Sequence, residues 1–170
     1  MTIGDLEREL RDVHEETFSW ALVCCRGVRS EAEDVVQETY LRLLDGRLTF
    51  DGRSSFRTWL FAVVRRAVRD RRRRFALRQA LFERWVRPRE SRLPAQEART
   101  IERQRARAIR RLLGGLSRRQ RQVLELVFYH ELPLREVATV LDISAGAASR
   151  HYDRGKRMLF ARLKEAELEL

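Results

Sequence analysis

The feature that most limits what this chain can become is one unbroken apolar stripe. Ala32, Val35, Val36, Thr39, Tyr40, Leu43 and Leu44 recur at i, i+3, i+4 and i+7, the signature of an amphipathic helix. A second stripe repeats the pattern in Phe56, Trp59, Leu60, Val63, Val64, Ala67 and Val68. An earlier helix is expected from about Leu6 through Leu10, Val13, Thr17 and Ala21, ending near Gly27. No stretch shows the two-residue alternation of a half-buried strand, so the fold class is all-α. With 3 prolines and 8 glycines in 170 residues, little interrupts the helical pattern.

Two blocks emerge. The first three helices can close a small helical domain over residues 1–75. Ser30-Glu31-Ala32-Glu33 reads as a capping box opening the second of them, and Ser54 or Ser55 starts the third. Residues 76–97, with Pro88 and Pro94, read as a linker, partly helical around Phe75–Trp85; the periodicity is lost from the run Arg71–Arg74 onward. A second helical block, 98–170, follows. Ala98, Ile101, Arg105, Ile109 and Leu112 share a face that stops at Gly114-Gly115. Ser117-Arg118-Arg119-Gln120 is another capping box, leading into Val123, Leu124, Val127 and Phe128.

The end of the chain has the spacing of a helix-turn-helix. Pro133 opens a short helix carrying Leu134, Val137, Ala138 and Leu141, and a turn follows at Asp142-Ile143-Ser144. A longer helix then turns Ala148, Tyr152, Gly155, Leu159 and Leu163 inward. Its outward face presents Ser149, Arg150, Asp153, Arg154 and Arg157, where arginines reach guanine edges or phosphates in a major groove. An ordinary helical hairpin with a solvated basic face would share this pattern. Gly155, inside that helix, should cost roughly 1 kcal/mol relative to alanine.

Charge narrows the partner. Lys+Arg is 36 against 25 for Asp+Glu, a formal +11 that favours a polyanion, most often nucleic acid. No apolar run approaches the ~20 residues of a membrane span. The first residues have neither a basic start nor an apolar core, so no secretion signal is expected. Cys24 and Cys25 are adjacent and read as small buried hydrophobes in a reducing, cytoplasmic setting. The three histidines are scattered and no carboxylate or cysteine falls at ligand spacing, so no metal, cofactor or catalytic chemistry is expected.

Several longer motifs resemble a known family. Leu116-Ser117-Arg118-Arg119-Gln120-Arg121-Gln122-Val123-Leu124, Leu134-Arg135-Glu136-Val137-Ala138 and Leu141-Asp142-Ile143-Ser144 resemble region 4 of sigma-70-type sigma factors. Glu31-Ala32-Glu33-Asp34-Val35-Val36-Gln37-Glu38-Thr39-Tyr40 resembles region 2.2, and Phe50–Leu60 resembles region 2.3. The abbreviated plan, without room for regions 1.1 or 3, is similar to the extracytoplasmic-function group. The resemblance implies a protein without enzymatic activity. It would bind core RNA polymerase, direct it to promoters and help open promoter DNA.

The resemblance also places the contacts. Glu33, Asp34, Gln37 and Glu38 fall where the family docks on the clamp helices of the largest catalytic subunit. From Ser30 to Asp45 there are five acids against one base, a net −4 that suits protein docking better than DNA, though a solvated face would look the same. Region 4 would meet the flap of the second large subunit. Ser54, Ser55, Phe56 and Arg57 fall on the loop that captures non-template bases of the minus-ten element, Phe56 being equally suited to a core. Arg65, Arg66 and Arg69, with Arg71–Arg74, would form a basic track for phosphates. Ser149, Arg150, Asp153, Arg154 and Arg157 would read the minus-thirty-five element. An anti-sigma factor is a further partner the family admits. The alternatives from other classes are a stand-alone helix-turn-helix regulator, which has no need of the acidic helix, and a basic adaptor that does not bind DNA.

Overall fold

The computed structural model describes residues 3–82 and 114–168, and all regular structure among them is helical. The N-terminal block holds α1 (Ile3–Asp12), α2 (His14–Cys24), α3 (Arg29–Leu44) and α4 (Phe56–Phe82). The C-terminal block holds α5 (Arg118–Phe128), α6 (Leu134–Leu141) and α7 (Ala145–Leu168). The expected helix over Ala98–Leu112 lies outside the described residues, as does all of the expected linker beyond Phe82.

The first helix expected from the sequence is two. The chain breaks at Val13 (φ −101°, ψ 8°) between α1 and α2. The break redirects the apolar face: Leu6 and Leu10 pack with Leu43, Phe56 and Leu60, whereas Trp20, Ala21 and Cys24 point into the main core. The capping box expected at Ser30 does not form either. The helix starts one residue earlier, at Arg29 after Val28, with no side-chain cap. Glu33 is instead held by the Arg29 Nε at 2.8 Å, an i, i+4 pair on the exposed surface.

The arginine run is helical, contrary to the loss of structure expected there. Arginine is a good helix former and no proline precedes Pro88, so α4 continues through Arg71–Arg74 to Phe82. Its turns split the four side chains: Arg72 and Arg73 continue the face of Arg65 and Arg69, whereas Arg71 and Arg74 turn toward α3. Arg71 Nη2 donates to Asp34 on α3 at 2.7 Å, and Arg72 Nη2 donates to the Cys24 carbonyl ending α2 at 2.9 Å.

In the C-terminal block local rules hold closely. Ser117 Oγ accepts from the Gln120 N–H at 3.2 Å, and the Gln120 side chain accepts from the Ser117 N–H at 2.7 Å. Asp142 takes the left-handed conformation (φ 49°, ψ 57°) that turns the chain out of α6, and Ser144 Oγ caps α7 by accepting from Ala147 N–H at 3.2 Å. Ala138 and Ala148 are buried where the helices of the motif cross, and Ile143 packs against the main core. Gly155 is also explained: a Cβ there would stand 3.1 Å from Leu124 Cδ1 and 3.3 Å from Gln120 Cβ. The lost helix propensity accompanies a close approach of α7 to α5. Leu163, expected inward, is 37% exposed, because α7 runs past its partners by that point.

The two blocks share one core. Trp20, Phe61, Val64 and Val68 of the first form a continuous apolar cluster with Val123, Leu126, Leu132, Val137, Val140 and Leu141 of the second. The main contact lays α6 on α4. Cys24 and Cys25 are buried there as free thiols; burial pushes the Cys24 thiol up to about 12, so it stays protonated. No described helix is long and apolar enough to cross a membrane.

Candidate nucleic-acid and polymerase interfaces

Three groups of candidate residues lie on three different surfaces. On α3, Val35 and Val36 are buried, and the pattern that buries them turns Glu33, Asp34, Gln37 and Glu38 outward; all four are exposed. Asp34 is tied to Arg71 and Glu33 to Arg29, leaving Gln37 and Glu38 with Arg42 and Asp45 along an open polar groove.

The second group sits at the start of α4. A turn requiring Gly52 (φ 72°) brings the chain to Ser55, whose Oγ accepts from Thr58 N–H at 3.2 Å and caps the helix. Phe56 is 8% exposed and packs edge-on against Phe50 with Trp59 alongside, so it belongs to the smaller core. Ser54 is half-buried, its Oγ donating to the Ser55 carbonyl at 3.2 Å.

Part of the rest of this group meets the other block, through Thr58, Arg65 and Arg69. Ser55 Oγ donates to Thr58 Oγ1 at 2.8 Å, and Thr58 Oγ1 donates to the Glu136 carboxylate of α6. A carboxylate at the N-terminus of α4 sits where the helix dipole favours an anion. Arg57 Nη1 donates to Glu16 Oε2 at 2.9 Å; the same oxygen lies 3.7 Å from Nδ1 of His130, beyond hydrogen-bond reach. Arg65 Nη1 is directed at the Val140 carbonyl ending α6 at 3.5 Å, and Arg69 Nη1 stands 3.9 Å from Asp142. Burial, then the neighbouring Arg119, pulls the Arg65 guanidinium down to about 10. Arg66 and Arg69 are both exposed, and Arg66 Nε lies 4.0 Å from Asp70.

The third group lies along α7. Arg150, Asp153, Arg154 and Arg157 are exposed and Ser149 is half-buried at the edge of the same face. Arg157 Nε donates to the Asp153 carbonyl at 3.4 Å. The opposite face, with Ala148 and Tyr152, packs on the rest of its own block. The helix-turn-helix therefore has its outward basic face free of the N-terminal block.

Glu16, Thr58, His130 and Glu136 were not singled out by sequence patterns. His130 is 2% exposed, edge-on to Phe61 with ring centroids at 4.8 Å and to Trp20 at 6.3 Å. Burial lowers its pKa despite the opposing pull of Glu16, and neither ring nitrogen has a hydrogen-bond partner among the described residues. Its partners lie in the other block, so no local spacing announces them.

Comparison with known proteins matches both blocks. Residues 7–78 match the family model for sigma-70 region 2, and residues 112–161 that for sigma-70 region 4. The ECF RNA polymerase sigma factor SigF of Caulobacter vibrioides is 32% identical over 141 residues, covering 83% of this chain and 75% of that one. SigX of Bacillus subtilis, another ECF sigma factor, is 29% identical over 153 residues, covering 86% and 77%. Among solved structures, the sigma factor RpoE of Bartonella quintana, in complex with the anti-sigma factor NepR, has a TM-score of 0.69 at 21% identity. That match covers 94% of this chain and 97% of that one. CnrH, in complex with the cytosolic domain of CnrY, has a TM-score of 0.63 at 22% identity, covering 94% and 88%. Regions 2 and 4 occur in order on an all-helical fold, and most of the chain aligns with sigma factors along most of their own length: the protein belongs to the extracytoplasmic-function group of sigma-70-type RNA polymerase sigma factors.

Proposed function

We propose that this sigma factor divides its work between residues 1–75, which dock on polymerase and hold the minus-ten strand, and residues 98–170, which read the minus-thirty-five element, with 76–97 joining them. Glu33, Asp34, Gln37 and Glu38 dock on the clamp helices of the largest catalytic subunit, while the flap of the second large subunit meets the C-terminal block. Ser54, Ser55 and Arg57 hold unstacked non-template bases, and Arg65, Arg66 and Arg69 neutralise phosphates beside them. Phe56 contributes by shaping the loop from within. Ser149, Arg150, Asp153 and Arg154 read bases from α7, and Arg157 meets phosphate. The protein carries out no chemistry of its own and works in the cytoplasm. An anti-sigma factor is a further partner; the structural relatives bound to NepR and to CnrY support it.

The observation that carries this reading is the outward basic face of α7 on a helix-turn-helix closed by the left-handed Asp142. The two promoter elements lie about 25 base pairs apart, roughly 80 Å at ~3.4 Å per pair. Blocks that share one core do not span that distance, so promoter recognition requires α6 to leave α4. Run-off transcription tests the whole reading. Core polymerase with this chain should initiate at a selected promoter, and core polymerase alone should not. Reversing the charge of Asp34 and Glu38 together should weaken capture of core enzyme while the helical circular-dichroism spectrum is kept; capture undiminished by the reversal would displace the docking face.

A further inference from the structure

Between α4 and α5 lies a cleft of about 450 Å³, six of whose eight lining residues are arginines. Arg65, Arg69, Arg72 and Arg73 project from α4 and Arg118 and Arg119 from α5, with Ala76 and Gln122 completing the lining. Among the described residues, few acidic groups neutralise these six arginines. The carboxylate of Asp142 stands 3.9 Å from Arg69, and Asp70 is 4.0 Å from the same side chain. Other partners are main-chain carbonyls: Val140 for Arg65, Cys24 for Arg72 and Leu141 for Arg119. Carbonyls at helix ends carry only partial charge, so the cluster keeps most of its positive potential.

The excess of charge also shows inside the cluster. Nη1 of Arg72 is buried out of reach of the cleft with no hydrogen-bond partner among the described residues. Arg118 has its pKa lowered by burial and by Arg72, as expected where like charges converge without a counter-ion.

The cluster has the form of a multidentate phosphate site. Guanidinium forks pair with phosphoryl oxygens two at a time, and one carboxylate would satisfy only a fraction of six forks. No lining residue is aromatic, so the cleft offers no platform on which a base could stack. The bases the protein captures belong at Ser54–Arg57; Arg69 is about 16 Å along the helix axis from Thr58 at ~1.5 Å per residue. We propose that this cleft binds a small oligophosphate anion, several phosphates in series, and that the anion clamps the two blocks together. An anion that bridges α4 and α5 binds only the docked arrangement and stabilises it by mass action. The site stands on the cleft's own geometry; Arg65 and Arg69 are shared with the proposed phosphate contacts near the minus-ten strand, whereas Arg118 and Arg119 are not.

Titration calorimetry and thermal melting of the full chain with inorganic tripolyphosphate test the proposal. The wild type should take up one equivalent, and its melting temperature should rise beyond that produced by sodium chloride at equal ionic strength. Arg73→Gln with Arg118→Gln should weaken binding at least tenfold. Removing two like charges should not lower the melting temperature without the anion, a result that a merely structural role would not give. Arg8→Gln with Arg11→Gln on α1 changes net charge equally and should bind as the wild type does. Equal loss in both double variants, or uptake of several equivalents, would mean diffuse attraction to a basic protein and overturn the site. A single-stranded oligonucleotide provides the last arm. If its binding depends on Arg73 and Arg118 as strongly as that of tripolyphosphate, the cleft is a nucleic-acid track and the proposal fails.

Discussion

The face of α7 and the face of α4 are both basic and both assigned to DNA, yet they stand in opposite conditions. Arg150, Arg154 and Arg157 face solvent. Arg57, Arg65 and Arg69 are engaged by Glu16, by the Val140 carbonyl and by Asp142, and Thr58 is held by Glu136. The C-terminal block thus supplies, in Glu136 and the carbonyl end of α6, the negative groups that a phosphate backbone would otherwise bring. One half is ready to read a duplex while the other is occupied by its own chain. Under the proposed reading, Arg65 and Arg69 exchange partners in the C-terminal block for phosphates, so promoter binding and block docking compete for the same residues.

The largest expected effect comes from the ring that joins the blocks. His130→Ala removes the side chain packed on Phe61 and Trp20 and leaves a cavity, which should cost about 3 kcal/mol of docking. Small-angle scattering should report a larger radius of gyration, and hydrogen exchange should speed up in α6 before it does in α3. His130→Phe keeps the ring and removes two unsatisfied nitrogens, so it should hold the blocks at least as tightly as wild type. If the alanine variant stays as compact as the wild type, His130 does not join the blocks.

Next in size is the hydrogen bond between blocks. Thr58→Val and Glu136→Gln should each loosen docking by about 1–2 kcal/mol, the range for a part-buried bond to a charged acceptor. Because they remove one interaction, the double variant should lose little more than either single one. A double-mutant cycle on chemical denaturation measures the coupling, and simple additivity would show that the two side chains do not act together.

How much of this was legible beforehand depends on how far apart the partners are in the chain. The capping box at Ser117 was readable because Ser117 and Gln120 satisfy each other within one turn. The similar motif at Ser30 misled because Glu33 had a competing partner in Arg29, one residue outside the motif. The stripes on α3 and α4 identified the buried faces, since periodicity reports burial whatever covers it. It does not report what does the covering. Val64 and Val68 could be expected inward, but that α6 lies against them, and that Glu136 answers Thr58 from 78 positions away, is a tertiary fact. Charge alone does not divide the arginine run; its helical phase does, leaving Arg72 and Arg73 beside Arg65 and Arg69 and sending Arg71 to Asp34 on α3.

A smaller effect should follow pH. His130 is buried with its folded-state pKa below its ordinary value of 6.5, so the unfolded or separated chain binds the proton more readily. Its contribution to docking is complete above about pH 6.5 and is lost as the pH falls below that toward the depressed value. Compactness by scattering should therefore decline as the pH falls below about 6.5 in the wild type and stay level in His130→Phe. A wild type that keeps its compactness throughout would place the docking energy elsewhere.

The smallest effect on the fold, and the sharpest on recognition, is expected on the free face. Arg150 and Arg154 are four residues apart on the exposed side of α7, one helical turn from each other, and the buried side of that helix is occupied by Ala148 and Tyr152. Truncating either arginine to alanine removes no packing and slightly raises helix propensity, so stability should stay within about 0.5 kcal/mol of wild type. A bidentate contact to guanine O6 and N7 discriminates by about 1–3 kcal/mol, so either variant should lose preference at particular upstream bases. Arg157, one turn further on, should behave differently: Arg157→Ala should weaken binding to every sequence alike and flatten its salt dependence. Neither change should alter compactness, because the face they occupy does not touch the N-terminal block. Selection of promoter sequences with each variant, alongside scattering, separates the two roles. Recovery of the same upstream element at wild-type stringency by the Arg150 and Arg154 variants would remove base reading from this face, and the contrast with α4 would then be between a covered DNA surface and a bare one with no established use.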